Sequence, residues 1–319
     1  MGYDKSKMQH TLSSSVTLSG IGLHSGSETR LTIKPAPANS GIVFVRVDVT
    51  DKNNKIPAKF NAVVDTRLCT VIGNAEKVTV GTIEHLMAAM ASLKIDNAII
   101  ELDAPEVPIM DGSAAPFIDA ILRAGIKAQT SARRAIKILK DIEVKDGDKI
   151  ARFKPSVGMV YDISIDFIHP AIGAQRAVLD LLQENFETEI SRARTFGFMH
   201  EVKALRAQGL ALGGSTDNAI VLDDSGILNP EGLRFEDEFA RHKLLDAVGD
   251  LALAGMPFLG TFQSYKGGHA LNNQLLRALM ADKTAYTVVD LFSTAHSVEI
   301  SADLARSEPC FTPHRLAAE

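Results

Sequence analysis

The chain has 319 residues, of which 45% are hydrophobic and 23% are charged. This length and balance predict a folded protein of two domains, or of one large domain, and exclude a disordered chain. The net charge of −5 and the isoelectric point of about 6.0 provide no overall attraction for nucleic acid, so we expect no nucleic-acid partner. The two cysteines, Cys69 and Cys310, exclude a disulfide scaffold and a four-cysteine zinc site, and they favour a reducing compartment.

The sequence also gives no signal for a membrane or for secretion. The uncharged stretch 251–265 is too short to span a membrane and contains Gly255, Pro257 and Gly260. The first ten residues contain no apolar signal segment. We therefore expect no transmembrane segment and a cytoplasmic location.

The first part of the chain predicts strands and two helices. Runs of strand-forming residues predict strands at 28–33, 41–47 and 97–102. A helix is expected at 81–93, because its apolar residues fall on one stripe. A second helix is expected at 115–124.

The polar stretch 129–134 lacks a periodic pattern and marks the expected domain boundary. It divides the chain into domain I (8–130), domain II (131–305) and a C-terminal tail (306–319). Domain II again begins with strands and continues with helices. The strands are expected at 135–139, 149–154 and 161–167, and the helices at 236–255 and 271–282. This repetition predicts two α+β halves and suggests an internal duplication.

Three polar residues recur every four positions in the helix expected at 236–255. His242, Asp246 and Asp250 therefore share one helical face. One interpretation is a solvated face. The other is a metal site, in which His242 and Asp246 are ligands and Asp250 lies close by. A catalytic zinc takes three protein ligands and leaves one position for water, so the third ligand must come from elsewhere.

Glu84 and His85, early in the helix expected at 81–93, place a carboxylate beside a candidate ligand. In zinc hydrolases such a carboxylate accepts the proton of the bound water. The alternative is an ordinary amphipathic helix. His269 follows two glycines and is a candidate general acid, although a structural histidine is the simpler interpretation. The glycine-rich stretch 20–26 lacks the register of a dinucleotide-binding motif, which excludes that function.

Six contiguous runs, which extend over about residues 8–300, carry a resemblance to a known family. They are residues 20–26, 82–86, 104–113, 191–198, 233–251 and 267–271. These runs resemble the UDP-3-O-acyl-N-acetylglucosamine deacetylases, the zinc amidases of lipid A biosynthesis. Long contiguous matches are much more specific than any single spacing. We find no departure from the family at a position that the chemistry needs.

The resemblance implies hydrolysis of the N-acetyl group of UDP-3-O-acyl-N-acetylglucosamine to acetate and UDP-3-O-acyl-glucosamine, the committed step of lipid A biosynthesis. It implies one Zn²⁺ per chain, with Fe²⁺ as an alternative, held by His85, His242 and Asp246. The implied catalytic residues are Glu84 as general base, His269 as general acid oriented by Asp250, Thr195 as donor to the oxyanion, and Lys243 near the metal. Substrate-binding roles are implied for Leu68, Cys69, Lys149, Asp166, Phe167, Phe196, Phe198, Gly214, Ser215 and Lys266.

The implied fold consists of two similar α+β domains, each a β-sheet packed on helices, with the two helix layers facing each other. An insert at 198–227 is expected to form a hydrophobic passage for the acyl chain, or else to fill a small core. The expected partner is a UDP-sugar substrate carrying an acyl chain, and the expected state is a monomer. Two alternative functions stay open: a zinc amidohydrolase of another N-acyl sugar, and a non-catalytic nucleotide-sugar or lipid-binding protein.

Overall fold

The computed structural model describes residues 7–291. The expected tail at 306–319, the last part of the expected domain II (292–305) and Cys310 lie outside this range. Within residues 7–291, none of the helices combines the length and the apolar character needed to cross a membrane.

From residue 7 onwards, the first half contains ten strands and two α-helices. The strands are β1 (Met8–Leu12), β2 (Val16–Ile21), β3 (Glu28–Pro35), β4 (Ile42–Arg46), β5 (Lys55–Pro57), β6 (Val63–Asp65), β7 (Val71–Gly73), β8 (Thr79–Val80), β9 (Ala98–Leu102) and β10 (Ile126–Ala132). The helices are α1 (Glu84–Ser92) and α2 (Ala115–Ala124). The main sheet has the order β2-β3-β9-β4-β5; β9 and β4 are parallel and the other neighbours are antiparallel.

The second half, as far as residue 291, contains another ten strands and four α-helices. The strands are β11 (Arg134–Ile138), β12 (Ile142–Asp146), β13 (Lys149–Lys154), β14 (Met159–Asp166), β15 (Ala174–Asp180), β16 (Phe196–Phe198), β17 (Ile220–Asp223), β18 (Gly226–Ile227), β19 (Phe258–Tyr265) and β20 (Tyr286–Asp290). The helices are α3 (Phe186–Glu189), α4 (Met199–Ala207), α5 (Glu238–Ala252) and α6 (His269–Ala281).

The second half repeats the topology of the first. Strands β12, β13, β19, β14 and β15 are neighbours in this order, with β19 and β14 parallel and the other pairs antiparallel. A three-stranded sheet precedes α1 in the first half and α5 in the second, and in both halves the first strand pairs antiparallel with the last. The predicted two-domain α+β fold is confirmed, and its topology carries the internal duplication that the order of elements suggested.

The stretch 129–134, where the domain boundary is expected, consists mostly of strand residues. Residues 126–132 form β10, which pairs with β1, and β11 begins at Arg134. None of the seven residues of β10 is fully buried, so no alternating apolar pattern marks it as a strand. We infer that the first repeat extends through β10 and that the second begins at β11.

Helices α1 and α5 pack directly on each other between the two main sheets. Gly249 permits their close approach, because a Cβ at this position would overlap the carbonyl oxygen of Glu84. Helix α1 starts later than the predicted 81–93, since Thr82 has a left-handed φ of 54° that the helix cannot include. The close approach brings one end of α1 to the middle of α5.

A buried ion pair fixes the segment that leads into β16. The Arg194 and Glu238 side chains are 1% and 0% exposed, and Nε of Arg194 lies 2.9 Å from Oε1 of Glu238. Glu238 also accepts hydrogen bonds from the backbone N–H groups of Arg194 and Arg234. The start of α5 is thereby tied to residues 194–198.

Replacing Glu238 with alanine is expected to lower the free energy of unfolding by about 3–5 kcal/mol, because it leaves the Arg194 charge in the core without this partner. The control is Lys34→Ala, which breaks the exposed Lys34–Glu101 pair. That change is expected to cost less than about 1 kcal/mol. Urea unfolding measures the free energy of unfolding of both variants. Equal losses of this free energy would contradict the importance of the buried pair.

Candidate active site

Helices α1 and α5 bring three candidate metal ligands together. His85 is the second residue of α1, and His242 and Asp246 lie one turn apart on α5. One ligand atom of each lies within 4.8 Å of the others. The alternative of a solvated face for His242, Asp246 and Asp250 is wrong, because these residues are 1%, 3% and 3% exposed.

The donor set fits a divalent cation. The His242 Nδ1 atom lies 3.1 Å from the Ala193 carbonyl oxygen, while its Nε2 faces Asp246 Oδ1 at 3.3 Å. Asp246 Oδ1 is buried and has no hydrogen-bond partner among residues 7–291. Burial lowers the pKa of His242 to about 3, which leaves a ring nitrogen free of its proton at neutral pH. Two imidazoles and one carboxylate form a set that suits zinc and related metals.

Lys243 secures the charge of Asp246. Its Nζ lies 2.9 Å from Asp246 Oδ2 and 5.5 Å from the centre of the Phe196 ring. Burial opposes ionisation of Asp246, but the interactions with the His242 ring and the Lys243 ammonium group outweigh it and hold the pKa of this carboxyl well below its ordinary value. Burial likewise opposes the Lys243 charge, yet Asp246 raises the pKa of this amine. The aspartate is therefore an anion, and the lysine is a cation beside it.

Glu84 and His269 face each other at the same place. Glu84 Oε1 lies 3.9 Å from His269 Nε2, and His269 Nδ1 lies 2.8 Å from Asp250 Oδ2. Burial raises the pKa of Glu84. Burial also lowers the pKa of His269, but the charges of Asp250 and Glu84 outweigh this effect and raise it to about 9. The pair combines a proton acceptor with a protonated imidazole, as acid–base catalysis requires.

Two residues that the sequence did not single out complete this network. The Thr70 backbone N–H donates to Glu84 Oε2 (3.0 Å), and its hydroxyl donates to Asp250 Oδ1 (2.5 Å). Asn272 Nδ2 donates to Asp250 Oδ2 (2.8 Å). Asn272 follows His269 by three positions on α6, a spacing that could have indicated it. Thr70 has no such signal in the sequence.

A second buried network fixes the start of α1. The left-handed backbone of Thr82 is unfavourable for a β-branched residue, and its hydroxyl donates to Glu106 Oε1 at 2.8 Å. Glu106 also accepts from the backbone N–H groups of His24 and Ser25, at 2.9 and 2.8 Å. Three of the sequence runs that carry the family resemblance thus meet at Glu106, which sequence reasoning did not identify as a positioning residue.

Thr195 lies beside His242. It stands between Ala193, whose carbonyl oxygen contacts His242, and Phe196, whose ring centre is 6.3 Å from that of His242. The Thr195 backbone N–H donates to the Gly112 carbonyl oxygen (2.9 Å). Its hydroxyl has no hydrogen-bond partner within the described part of the chain, so it can donate to a substrate.

Six of the implied substrate-binding residues lie in or next to β13, β14, β16 and β19, which contact one another. Phe167 packs against Phe196 and Phe198, with ring centres 5.7 and 6.1 Å away. Lys266 Nζ lies 3.2 Å from Asp166 Oδ2. The sixth residue, Lys149, precedes Ile150, which pairs with Tyr265 next to Lys266.

The other implied positions lie near the insert. A cavity of about 460 Å³ is lined by Leu68 and Cys69 together with Leu205 and Leu210 of the insert. Burial raises the pKa of the Cys69 thiol. Gly214 and Ser215 lie in a turn closed by a 2.9 Å bond from Ser215 N–H to Asn218 Oδ1, outside this lining.

Residues of the insert contribute both to this cavity and to the core. Leu205 and Leu210 line the cavity, whereas Ile220 and Leu222 of β17 are fully buried in the core. The expectation of a passage built from the whole apolar set of 198–227 is therefore wrong for β17. Its residues pair with β16 and pack inward, because a strand within a sheet buries one of its faces.

Comparison with known proteins agrees with this geometry. The family model for UDP-3-O-acyl N-acetylglycosamine deacetylase matches residues 9–281. The UDP-3-O-acyl-N-acetylglucosamine deacetylase of Pasteurella multocida (strain Pm70) is 54% identical over 283 residues, 88% of this chain and 92% of the relative. Those of Histophilus somni (strain 129Pt) and Shewanella sp. (strain W3-18-1) are each 53% identical over 283 residues, again 88% of this chain and 92% of the relative. The chain belongs to the UDP-3-O-acyl N-acetylglycosamine deacetylase family.

Proposed function

We propose that this protein is a zinc amidase that hydrolyses the N-acetyl group of UDP-3-O-acyl-N-acetylglucosamine. The products are acetate and UDP-3-O-acyl-glucosamine. The observation that carries the proposal is the buried cluster in which the ligand trio adjoins a carboxylate and a His–Asp pair. The names of the relatives supply the substrate.

His85, His242 and Asp246 would hold the ion, and all three belong to packed helices. A zinc ion bound there supplies a Lewis acid for the amide carbonyl and a water molecule of lowered pKa. Lys243 adds a fixed positive charge beside Asp246, suited to polar groups of the substrate.

The proton transfers follow from the positions of the remaining residues. Glu84 accepts a proton from water as the water oxygen bonds to the acetamide carbon. The Thr195 hydroxyl donates to the carbonyl oxygen, where negative charge develops. The carbon–nitrogen bond then breaks, and His269 protonates the departing sugar nitrogen. The proton held by Glu84 returns to His269 across the 3.9 Å between them, which restores both groups.

The two ends of the substrate would extend in different directions from this centre. Lys149, Lys266 and the Phe167 ring offer charge and an aromatic surface to the nucleotide end. The cavity lined by Leu68, Leu205 and Leu210 offers apolar walls to the acyl chain. This arrangement favours the acylated UDP-sugar over an N-acyl sugar without a chain.

Shortening the 3-O-acyl chain by two methylenes is expected to cost about 1.6 kcal/mol, or roughly 15-fold in kcat/KM, since each buried methylene contributes about 0.8 kcal/mol. Steady-state kinetics with a matched series of acyl lengths measures the effect. Equal kcat/KM along the series would contradict an acyl-binding cavity and support an amidohydrolase of another N-acyl sugar.

Product analysis tests the proposed reaction itself. Incubation with the acylated UDP-sugar should release acetate and leave a product lighter by one acetyl group, as seen by mass spectrometry. UDP-N-acetylglucosamine, which lacks the acyl chain, is the matched control and should react much more slowly. Binding without any product would contradict the proposal and support a non-catalytic binding protein.

A further inference from the structure

Thr70 contacts both partners of the proposed proton-transfer pair. It is 2% exposed and lies immediately before β7. Its backbone N–H donates to Glu84, its hydroxyl donates to Asp250, and its carbonyl oxygen accepts from the Ile83 N–H at the start of α1 (3.4 Å). One residue of a short sheet in the first half therefore reaches helices of both halves.

These contacts assign a separate task to each carboxylate oxygen. Glu84 Oε2 is occupied by the Thr70 N–H, while Oε1 is the atom that faces His269. Asp250 Oδ1 is occupied by the Thr70 hydroxyl, while Oδ2 accepts from His269 and Asn272. Rotation about the terminal bond of a carboxylate is soft, so fixing one oxygen determines where the other points.

We propose that Thr70 is a positioning residue for catalysis. Its hydroxyl orients Asp250 and, through it, the ring of His269, while its backbone N–H orients Glu84. The proposal rests on the roles given above to Glu84 and His269. A threonine hydroxyl has one proton to donate, and this proton is used on Asp250. Without it, Asp250 Oδ1 is a buried acceptor that has lost its donor, and the carboxylate turns to find another.

Thr70→Val tests the hydroxyl alone. Valine keeps the β-branched shape and the backbone N–H to Glu84, so the variant removes only the bond to Asp250. We expect kcat to fall roughly 10- to 100-fold, the range for a hydrogen bond to a charged group, with KM and zinc content unchanged. Thr70→Ser retains the hydroxyl and should restore most of kcat. The control is Thr29→Val, a buried threonine of β3 whose hydroxyl contacts the Ser27 carbonyl oxygen, and it should match the parent protein.

A double-mutant cycle with His269→Ala decides whether Thr70 acts through His269. We expect Thr70→Val to change kcat little in the His269→Ala background, because the group that it orients is absent. If Thr70→Val lowers kcat by the same factor in the His269→Ala background as in the parent protein, the proposal is overturned and the role of His269 stays intact. Parental turnover of His269→Ala alone would overturn that role and this proposal together. If the valine variant does not fold, Thr70→Ala serves in the same cycle.

Discussion

Glu84→Gln should lower kcat by about 10²–10⁴-fold, the usual contribution of a general base. Glutamine keeps the size of the side chain and an oxygen for the Thr70 N–H, but its amide cannot take a proton from water. Since Glu84 is not one of the three ligands, the variant should bind the same amount of zinc as the parent. Steady-state kinetics and metal analysis of the same sample measure both quantities.

Glu101→Gln is the matched control for this substitution. Glu101 lies on β9 and pairs with Lys34 near the surface, so the change should leave kcat unaltered. Parental turnover of Glu84→Gln would contradict the assignment of the base. Loss of zinc from that variant would instead place Glu84 among the ligands.

His269→Ala should cause a loss of similar size, about 10²–10⁴-fold in kcat, and should also remove the alkaline limb of the pH–rate profile. The protonated ring is the active form, so activity falls as pH rises through the pKa of His269, which the Asp250 and Glu84 charges raise to about 9. The ionised form of Glu84 is the active one, so activity falls as pH drops through its pKa, which burial raises. A bound divalent cation lowers both pKa values and shifts the bell-shaped pH–rate profile to lower pH.

The profile of kcat/KM against pH measures these limbs in the parent and in the variant. If the alkaline limb persists unchanged in His269→Ala, the limb reports the ionisation of another group. A parent profile with neither an acidic nor an alkaline limb would contradict both roles.

Sequence patterns predicted the elements whose residues alternate between buried and exposed, or lie on one helical stripe. Helix α2 has the predicted bounds, and β13 matches its predicted range. Strand β10 could not be predicted in this way, because both of its faces are partly exposed and it has no apolar period. The start of α1 also differs, since the left-handed backbone of Thr82 depends on its contact with Glu106.

The candidate site was predictable where its residues lie on one helix or in a run typical of the family. The spacing of His242, Asp246 and Asp250 placed them on one face of α5, but burial of that face depends on the close approach of α1 at Gly249. Thr70 and Glu106 act on the site from loops and strand ends distant in sequence from it. Such contacts exist only after separate segments of the chain have folded together, so no local spacing indicates them.

Titration of metal-free protein with zinc, followed by acetate release from the acylated UDP-sugar, tests whether turnover depends on the metal. Within residues 7–291, His85, His242 and Asp246 form one buried group of candidate ligands. We therefore expect no turnover without metal, and we expect acetate release to rise with added zinc until about one zinc per chain is present. His85→Ala should abolish the high-affinity part of the titration. Full acetate release by protein shown to contain no metal would contradict a metal-dependent mechanism.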